Sequence, residues 1–452
     1  MREMQQSNIP WIGDIPSQWS VQRVKHLIET GENGMKIGPY GSSLSGKTLA
    51  EGPVKIYNQA NLIADNFDIA RHFISAETYE DLKNYTILPG DILFSMMGTI
   101  GKCKVMPEGK QIGIMDSHLL KARLNDKIIP RFFLYAFDKD NNAVTLDQLI
   151  FMSNGSIMNG LNSSVVKNVR MAVPSVHEQQ EIVSFLDSKC AAIDEAIERH
   201  KKAIEKLEEY RKVEISRAVT TGMNPSVEWK YSGNKCTGMI PAHWGYCKIL
   251  YVLAMPITDG PHETPEAVDE GIPFISAEAV SQGNGKIDFD HMWGYISQDF
   301  YEYCCKKYIP QKDDIYMIKS GATTGKVAMV DTDRIFTIWS PLAVLRVNKQ
   351  IMTAKYLFYY VQSNGYQQQV ELGWNYGTQQ NIGMRMVERL KVCVPPIDEQ
   401  KAITEHLDKK WNEINIAIDK EHSLISKLQE YRKSLIYHAV TGKIDCREES
   451  AS

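Results

Sequence analysis

Two stretches of this chain carry apolar positions at a regular spacing. Between Glu178 and Thr221, the residues Leu186, Cys190, Ile193, Ile197, His200, Ile204 and Leu207 follow one another at alternating intervals of four and three. That interval puts them in one stripe along a helix, as in the seam of a coiled coil. Between Glu399 and Thr441 the same spacing runs through Leu407, Trp411, Ile414, Ile418, Glu421, Ile425 and Leu428. Glu, Lys, Ala, Ile and Leu dominate both stretches, and neither contains Pro or Gly. The pattern predicts two long helices, each opening just after a proline stop. At about 1.5 Å per residue, roughly 44 residues make a rod of about 65 Å. Such a rod suits a spacer; the alternative is an amphipathic helix that packs only on its own domain.

Elsewhere the period shortens. β-branched and aromatic runs such as PVKIYNQANLI and DILFSMMG are punctuated by Gly, Pro, Asn and Asp, which predicts strand-rich globular domains. A turn at Pro89-Gly90-Asp91 precedes ILFSM, and Pro310-Gln311-Lys312-Asp313-Asp314 precedes IYMI in the same place. FFLYAFD, ending at Asp138, has the counterpart YLFYYVQ, ending at Gln362, which reads as a helix beside its domain.

These correspondences belong to a repeat that spans the chain. VPSVHEQQEI and VPPIDEQKAI open the two helical stretches, with Pro174 aligned to Pro395 at an offset of 221 residues. The alignment holds without a gap through Glu178/Glu399, Leu186/Leu407, Leu207/Leu428 and Tyr210/Tyr431 to Ala218/Ala439. Upstream, IPSQW ending at Trp19 matches IPAHW ending at Trp244, and GTIGK ending at Lys102 matches ATTGK ending at Lys326. The order is variable segment, helix, variable segment, helix, an α+β architecture with pseudo-two-fold repetition.

Composition narrows the function classes only a little. In 452 residues, Lys+Arg 51 against Asp+Glu 55 gives a net charge of −4, which excludes a protein that coats nucleic acid but leaves room for a local basic patch. The Cys 8 include no C-x-x-C pair, so neither a zinc framework nor a redox pair is expected, and metal ligands are none. The opening MREMQQSNIPWIGDIP lacks the apolar core of a secretory signal, and no apolar run of about 18 residues follows, so the expectation is a cytoplasmic chain with no membrane partner.

One short motif argues for an enzyme. Gly41-Ser42-Ser43-Leu44-Ser45-Gly46-Lys47-Thr48 matches the G-x-x-x-x-G-K-[ST] phosphate loop letter for letter. Such a loop needs a buried strand before it and a helix starting at its Lys-Thr end. Here ENGMKIGPY precedes it and LAEGPVK follows, whose Gly and Pro end any helix within a turn. The corresponding stretch after Gly260-Pro261 is HETPEAVDEG, without Gly-Lys-Thr. A P-loop ATPase over Gly41–Thr48 is therefore the weaker alternative, and phosphate of a DNA backbone suits the loop equally.

Taken as a set, IPSQW and IPAHW, GPYGSSL, PGDILFS, GTIGK/ATTGK, the two V-P openings and the closing YRK and AVT make the chain resemble the specificity subunits of Type I restriction-modification systems. The resemblance covers almost the whole length. It implies two target-recognition domains (1–171 and 223–391), each reading half of a bipartite double-stranded DNA target. Two long helices (172–222 and 392–445, before a tail 446–452) would pack as an antiparallel coiled coil, set the spacing and dock partners. It implies no catalytic residues here: two modification (methyltransferase) subunits and two restriction subunits would supply the chemistry, so S-adenosylmethionine, ATP and Mg belong to those partners. The other alternative is a DNA-free coiled-coil scaffold carrying two ligand-binding domains.

The residues agree with that division of labour. An amino-methyltransferase needs an Asn/Asp-Pro-Pro-aromatic loop, and Asn224-Pro225 is followed by Ser226-Val227. The nearest approach to a nuclease cluster is Asp313-Asp314 with Lys319, placed on a turn. Polar and basic loop residues are the types that bond base edges and phosphates. In the first half these are Ser42, Ser43, Lys47, Asn58, Gln59, Asn61, Thr99, Lys102 and Ser156. In the second they are His262, Ser276, Glu278, Thr323, Thr324, Lys326, Thr378, Gln379, Gln380 and Asn381. Lys102 and Lys326, kept in both halves, suit phosphate contact, which positions without specifying. His200 and Glu421 occupy equivalent places on the two stripes, and antiparallel packing would make them a polar layer that fixes register.

Overall fold

Both periodic stretches are single helices, Val176–Thr221 of 46 residues and Ile397–Val440 of 44. The structure is a computed structural model and describes residues 2–31, 34–97, 101–138, 140–141, 143–152, 161–376 and 380–447. Each long helix follows a short strand, Arg170–Val173 or Lys391–Val394, that pairs antiparallel with a strand near the head of its half, Ser20–Arg23 or Gly245–Lys248. The prolines after those strands have no N–H to extend a ladder and end it there.

The repeated Glu-Gln at each helix start has a structural cause. Gln179 is buried; its Oε1 accepts from the Ile129 N–H at 2.8 Å, and its Nε2 donates to the carbonyls of Lys127 at 2.8 Å and Pro174 at 3.1 Å. Gln400 repeats the clamp with the Thr353 N–H and the carbonyls of Ile351 and Pro395 at 2.8, 3.0 and 2.9 Å. Each amide satisfies three backbone groups that burial would otherwise strand. The neighbouring glutamates hold the repeated tryptophans: Trp19 Nε1 donates to Glu178 Oε2 at 3.0 Å and Trp244 Nε1 to Glu399 Oε2 at 2.9 Å. The helices end on glycine at φ +72 (Gly222) and +71 (Gly442), a left-handed conformation that relieves the last carbonyls. A Cβ on Gly222 would lie 3.0 Å from Trp244 Cζ2, and one on Gly442 2.4 Å from Pro16 Cδ. Glycine is therefore required twice over at both positions.

The chain divides into two compact units, Met1–His200 with Ser423–Ser452, and Lys201–His422. Each unit contains the start of one long helix and the end of the other. In the first, Leu186, Cys190, Ile193 and Ile197 share a core with Leu435, Ile436 and Ala439 and with the domain residues Phe94, Phe132 and Phe133. Arg432 pairs there with Asp194 at 3.1 Å. In the second, Ile215, Ala218 and Val219 share a core with Ile403, Leu407 and the domain residues Tyr356 and Tyr360. The helices run antiparallel within this unit: His406 Nε2 lies 2.8 Å from Glu214, whereas Arg211 donates to Asn415 at 3.3 Å. The apolar stripe thus joins helix to helix and helix to domain together. Ile204, Leu207, Trp411, Ile418, Ile425 and Leu428 are half-buried on it and Ile414 is buried. His200 and Glu421 are half-buried too and fall in different units.

All but the last residues of FFLYAFD and YLFYYVQ lie in the helices Pro130–Phe137 and Ala354–Tyr360. Each sits against its long helix through a tyrosine, Tyr135 Oη donating to Asp187 at 2.6 Å and Tyr359 Oη to Asp408 at 2.8 Å. Burial, and then the acceptor carboxylate, push both phenols well above the usual tyrosine range. PVKIYNQANLI departs from the strand expectation, because only Val54–Tyr57 is a strand and Gln59–Ile63 is a helix. Asn58 and Asn61 form a reciprocal capping box there, and that local exchange of hydrogen bonds turns the chain out of the sheet.

Candidate nucleic-acid interface

Within each unit, two small sheets send their loops to a common edge. The first unit orders one sheet as Met35–Ile37, Leu119–Ala122, Ile92–Ser95, Cys103–Val105, and the other as Phe73–Ile74, Val54–Tyr57, Gly113–Met115, Thr86–Ile87. The second unit orders Thr258–Asp259, Leu342–Leu345, Ile315–Ile318, Val327–Met329, and Gly294–Ile296, Ile272–Ile275, Thr337–Ile338. The pairing registers make Ile37 equivalent to Asp259, through Leu120 and Ala343, and Ser95 equivalent to Ile318.

Backbone hydrogen bonds sew the loops together where these strands end. In the first unit Gly38 N–H donates to Leu119, Met96 to His118, Asp116 to Tyr57 and Leu161 to Met96, all between 2.7 and 3.0 Å. In the second, Lys319 N–H donates to Pro341, Trp339 to Ile275, Ile382 to Lys319 and Gly321 to Gln380, between 2.8 and 3.0 Å. A Cβ on Gly38 would fall 1.7 Å from the Asp116 carbonyl, and one on Gly260 1.9 Å from the Ile338 carbonyl. These repeated glycines let two loops touch backbone to backbone. The result is one polar loop cluster per unit, the arrangement of a rigid scaffold presenting variable contacts.

Most of the residues named from sequence lie on these clusters. Ser42, Ser43 and Lys47 follow Ile37, with Ser42 and Lys47 exposed. Asn58 and Gln59 follow Tyr57; Asn58 Oδ1 caps the Ala60 N–H at 2.9 Å, and Gln59 Nε2 donates to the Met97 carbonyl at 2.9 Å. Asn61 is a correction. It is 1% exposed, its Oδ1 accepts from Asn58 N–H, and its Nδ2 donates to the Asn66 and Ile69 carbonyls, so it holds a loop and presents nothing to a ligand. His262 and Glu278 are exposed; Ser276, Thr323 and Thr324 are half-buried. Gln380 and Asn381 join the 319–326 loop, where Ser320 bridges Asn381. Lys102 and Lys326 reach the same place in their units, the closing carbonyls of the helices after Tyr57 and Ile275, at Ile63 and Ser281, 3.5 Å each. Lys102 also pairs with Asp140 at 3.2 Å. Thr99, Ser156, Thr378 and Gln379 lie outside the described residues.

The phosphate-loop reading of GSSLSGKT is overturned by local geometry. A four-residue helix, Gly41–Leu44, occupies its start, and no helix begins at Lys47-Thr48. The N–H groups of Ser43, Ser45 and Lys47 donate to the carbonyls of Tyr40, Gly41 and Leu44 at 2.8, 3.0 and 3.1 Å. A nucleotide cradle needs those donors free. The nuclease reading fails likewise. Asp314 accepts from Arg346 Nε at 2.6 Å and from Tyr308 Oη, Asp313 pairs with Lys349 at 2.7 Å, and Lys319 turns to a different carboxylate. Among the described residues no group of three His, Cys, Asp or Glu converges to hold a metal, and no helix is long and apolar enough to cross a membrane.

The sequence did not disclose the charged floor of the second cluster. Asp259 is 0% exposed and lies 2.6 Å from Lys319 Nζ, in contact with Lys307 Nζ, and 3.4 Å from His262 Nε2. Burial alone would raise the Asp259 carboxyl, and the hydrogen bonds and charges of Lys307 and Lys319 overcome it and hold the group below its usual range. The first cluster is apolar in the same place, with Ile37, Met97 and Tyr40 exposed, Tyr40 by 85%. The partners of Asp259 lie 48 and 60 residues away, a separation without local signature.

Comparison with known proteins gives one consistent result. The model of the Type I restriction modification DNA specificity domain matches residues 16–209 and again 261–423. A candidate MjaX specificity subunit of a type I restriction enzyme from Methanocaldococcus jannaschii is 24% identical over 444 residues, 96% of this chain and 95% of its own. The type I restriction enzyme MjaVIII specificity subunit of that organism is 22% identical over 336 residues, 74% of each chain. A chain solved in work on complex assembly and conformational transition of the type I R-M system has a TM-score of 0.65 and 15% identity, covering 95% of this chain and 99% of its own. That last likeness is one of fold.

Proposed function

The chain belongs to the Type I restriction-modification DNA specificity family, and from that premise we propose that each unit reads one half of a split double-stranded DNA target. The observation that carries the reading is the duplicated loop cluster. Two equivalent scaffolds, held by the same glycine approach and the same Asp-Arg pair (Asp91–Arg123 and Asp314–Arg346), present different side chains at their edges. Equal scaffolds with unequal edges fit two half-sites of different sequence, since base edges specify and phosphates only position.

On this reading the helices serve as spacer and as the surface that docks two modification subunits, with restriction subunits completing the assembly. Adenine methylation and ATP-driven cleavage, with S-adenosylmethionine, ATP and Mg, are the work of those partners. Basic surface for the phosphate backbone then comes largely from the partners, because the chain itself carries −4.

The test is to purify the chain together with its host's modification subunits and measure binding to a library of duplexes at fixed salt. Selective retention of one split sequence supports the reading. Assembly with those subunits but no sequence preference would favour the DNA-free scaffold.

A further inference from the structure

Resting on the DNA-reading function above, we propose that Lys319 is the specificity-determining residue of the second unit, donating to the major-groove acceptors of a guanine, and that Asp259 is its positioning residue. Ile37 and Met96 of the first unit stand where the second has Asp259 and Lys319, Met96 and Lys319 each one residue past the end of equivalent strands in the same register. The surrounding scaffold is kept: the Gly38 and Gly260 approach, the Asp-Arg pair, and the backbone bonds from Met96 to His118 and from Lys319 to Pro341. The first unit therefore builds this edge without an ion pair.

A carboxylate with no exposed surface carries a desolvation cost that its partners only offset. Folding does not require that cost here, since the first unit builds the same edge with Ile37 exposed and Met96 packed on its core. Both positions differ together between the halves, and they differ at the loop edge where reading is done. That combination assigns the pair to recognition.

The geometry suits a base rather than a loose phosphate. Lys319 is 12% exposed and held by Asp259 Oδ2 at 2.6 Å, so its ammonium is fixed in direction, while a lysine has three N–H donors to give. Lys307 takes the other oxygen of Asp259, and its ammonium lies 3.3 Å from the Gly260 carbonyl. The adjoining cleft, about 660 Å³, is lined by Tyr303, Lys306, Lys307, His262, Glu263 and Asp259. Lys306 and Lys307 balance Asp259 and Glu263 in its lining, so the preference for acceptors comes from the N–H donors of Lys319 itself, and guanine N7 with O6 is the base edge that offers two acceptors side by side.

The experiment replaces the pair by the one the first unit uses. The full chain carrying D259I/K319M is expressed with the modification subunits in a host lacking the wild-type gene, and the methylated motif is read by modification-sensitive sequencing. The expected result is that one half-site loses its requirement for guanine at one position. Discrimination there should fall by about ten- to a hundredfold, with the other half-site and the gap unchanged. An unchanged motif with uniformly weaker methylation would assign Lys319 to a phosphate and overturn the proposal; so would a wild-type half-site pair containing no guanine on either strand. If the double variant does not copurify with the modification subunits, K319Q decides, because glutamine matches adenine N6 and N7. A guanine-to-adenine shift supports the assignment, and a retained guanine sinks it. A wild-type chain that directs no motif at all refutes the underlying function instead.

Discussion

The indole Nε1 of Trp19 donates to Glu178 Oε2 at 3.0 Å across 159 residues of sequence. Glu178 also holds Arg2 at 2.6 Å, and Arg2 in turn holds Asp445 at 2.7 Å. The start of one long helix and the segment after the other therefore meet on one guanidinium at the head of the chain. In the second unit Trp244 and Glu399 repeat the bond, and there the chain arrives covalently from Gly222.

Glu178→Ala should lower stability by about 1.5–3 kcal/mol, the cost of removing a charged acceptor from a buried donor. Thermal unfolding of the full chain reads it. Glu178→Gln, which keeps an acceptor for the indole, should lose less; equal losses would mean that the Trp19 bond contributes nothing.

Gln400→Leu keeps the volume of a fully buried side chain and strands the Thr353 N–H and two carbonyls. Each stranded group costs about 1–3 kcal/mol, so the second unit should be strongly destabilised, as seen in a lower urea midpoint. Gln400→Glu should also destabilise, since a carboxylate cannot donate to the Ile351 and Pro395 carbonyls. Wild-type stability in either variant would refute the clamp.

The Asp259 carboxyl has a folded pKa below its unfolded value of about 3.9. A depressed carboxylate stabilises fully above the unfolded value and loses that contribution as pH falls through the folded one. The stability difference between wild type and Asp259→Asn should therefore be flat from about pH 8 to about pH 5 and shrink below about pH 4. Urea titrations across that range check it, and a difference already shrinking at about pH 6 would show a raised, not lowered, carboxyl.

Legibility in the sequence followed the range of the interactions. The long helices were plain because a spacing of three and four repeated along about six turns leaves no competing period. The strands, only two to four residues long, pair across gaps such as Ile37 to Leu120, and nothing local records such a pairing. Asn58-x-x-Asn61 carried its own capping signal, yet the β-branched neighbours outweighed it in reading. Asn61 also shows why polar type misleads at a site: a loop residue that faces solvent and one that ties the loop from within share the same letter. The division of each helix between units was hidden for the same reason, since a repeat shows what is duplicated and not which globular body each half joins.

If the helices set the gap between half-sites, inserting seven residues at matched places in both should lengthen each by about 10 Å, which is about three base pairs. The methylated motif should keep both half-sites and gain about three unspecified positions. An unchanged gap would refute the ruler.

The most direct test of the central claim is a map of methyladenine across the host genome with this gene present and deleted, both with the modification subunits expressed. The account predicts that one split motif, and no other, loses methylation on deletion and regains it on complementation. A methylation pattern that does not change on deletion, with those subunits present, would contradict it.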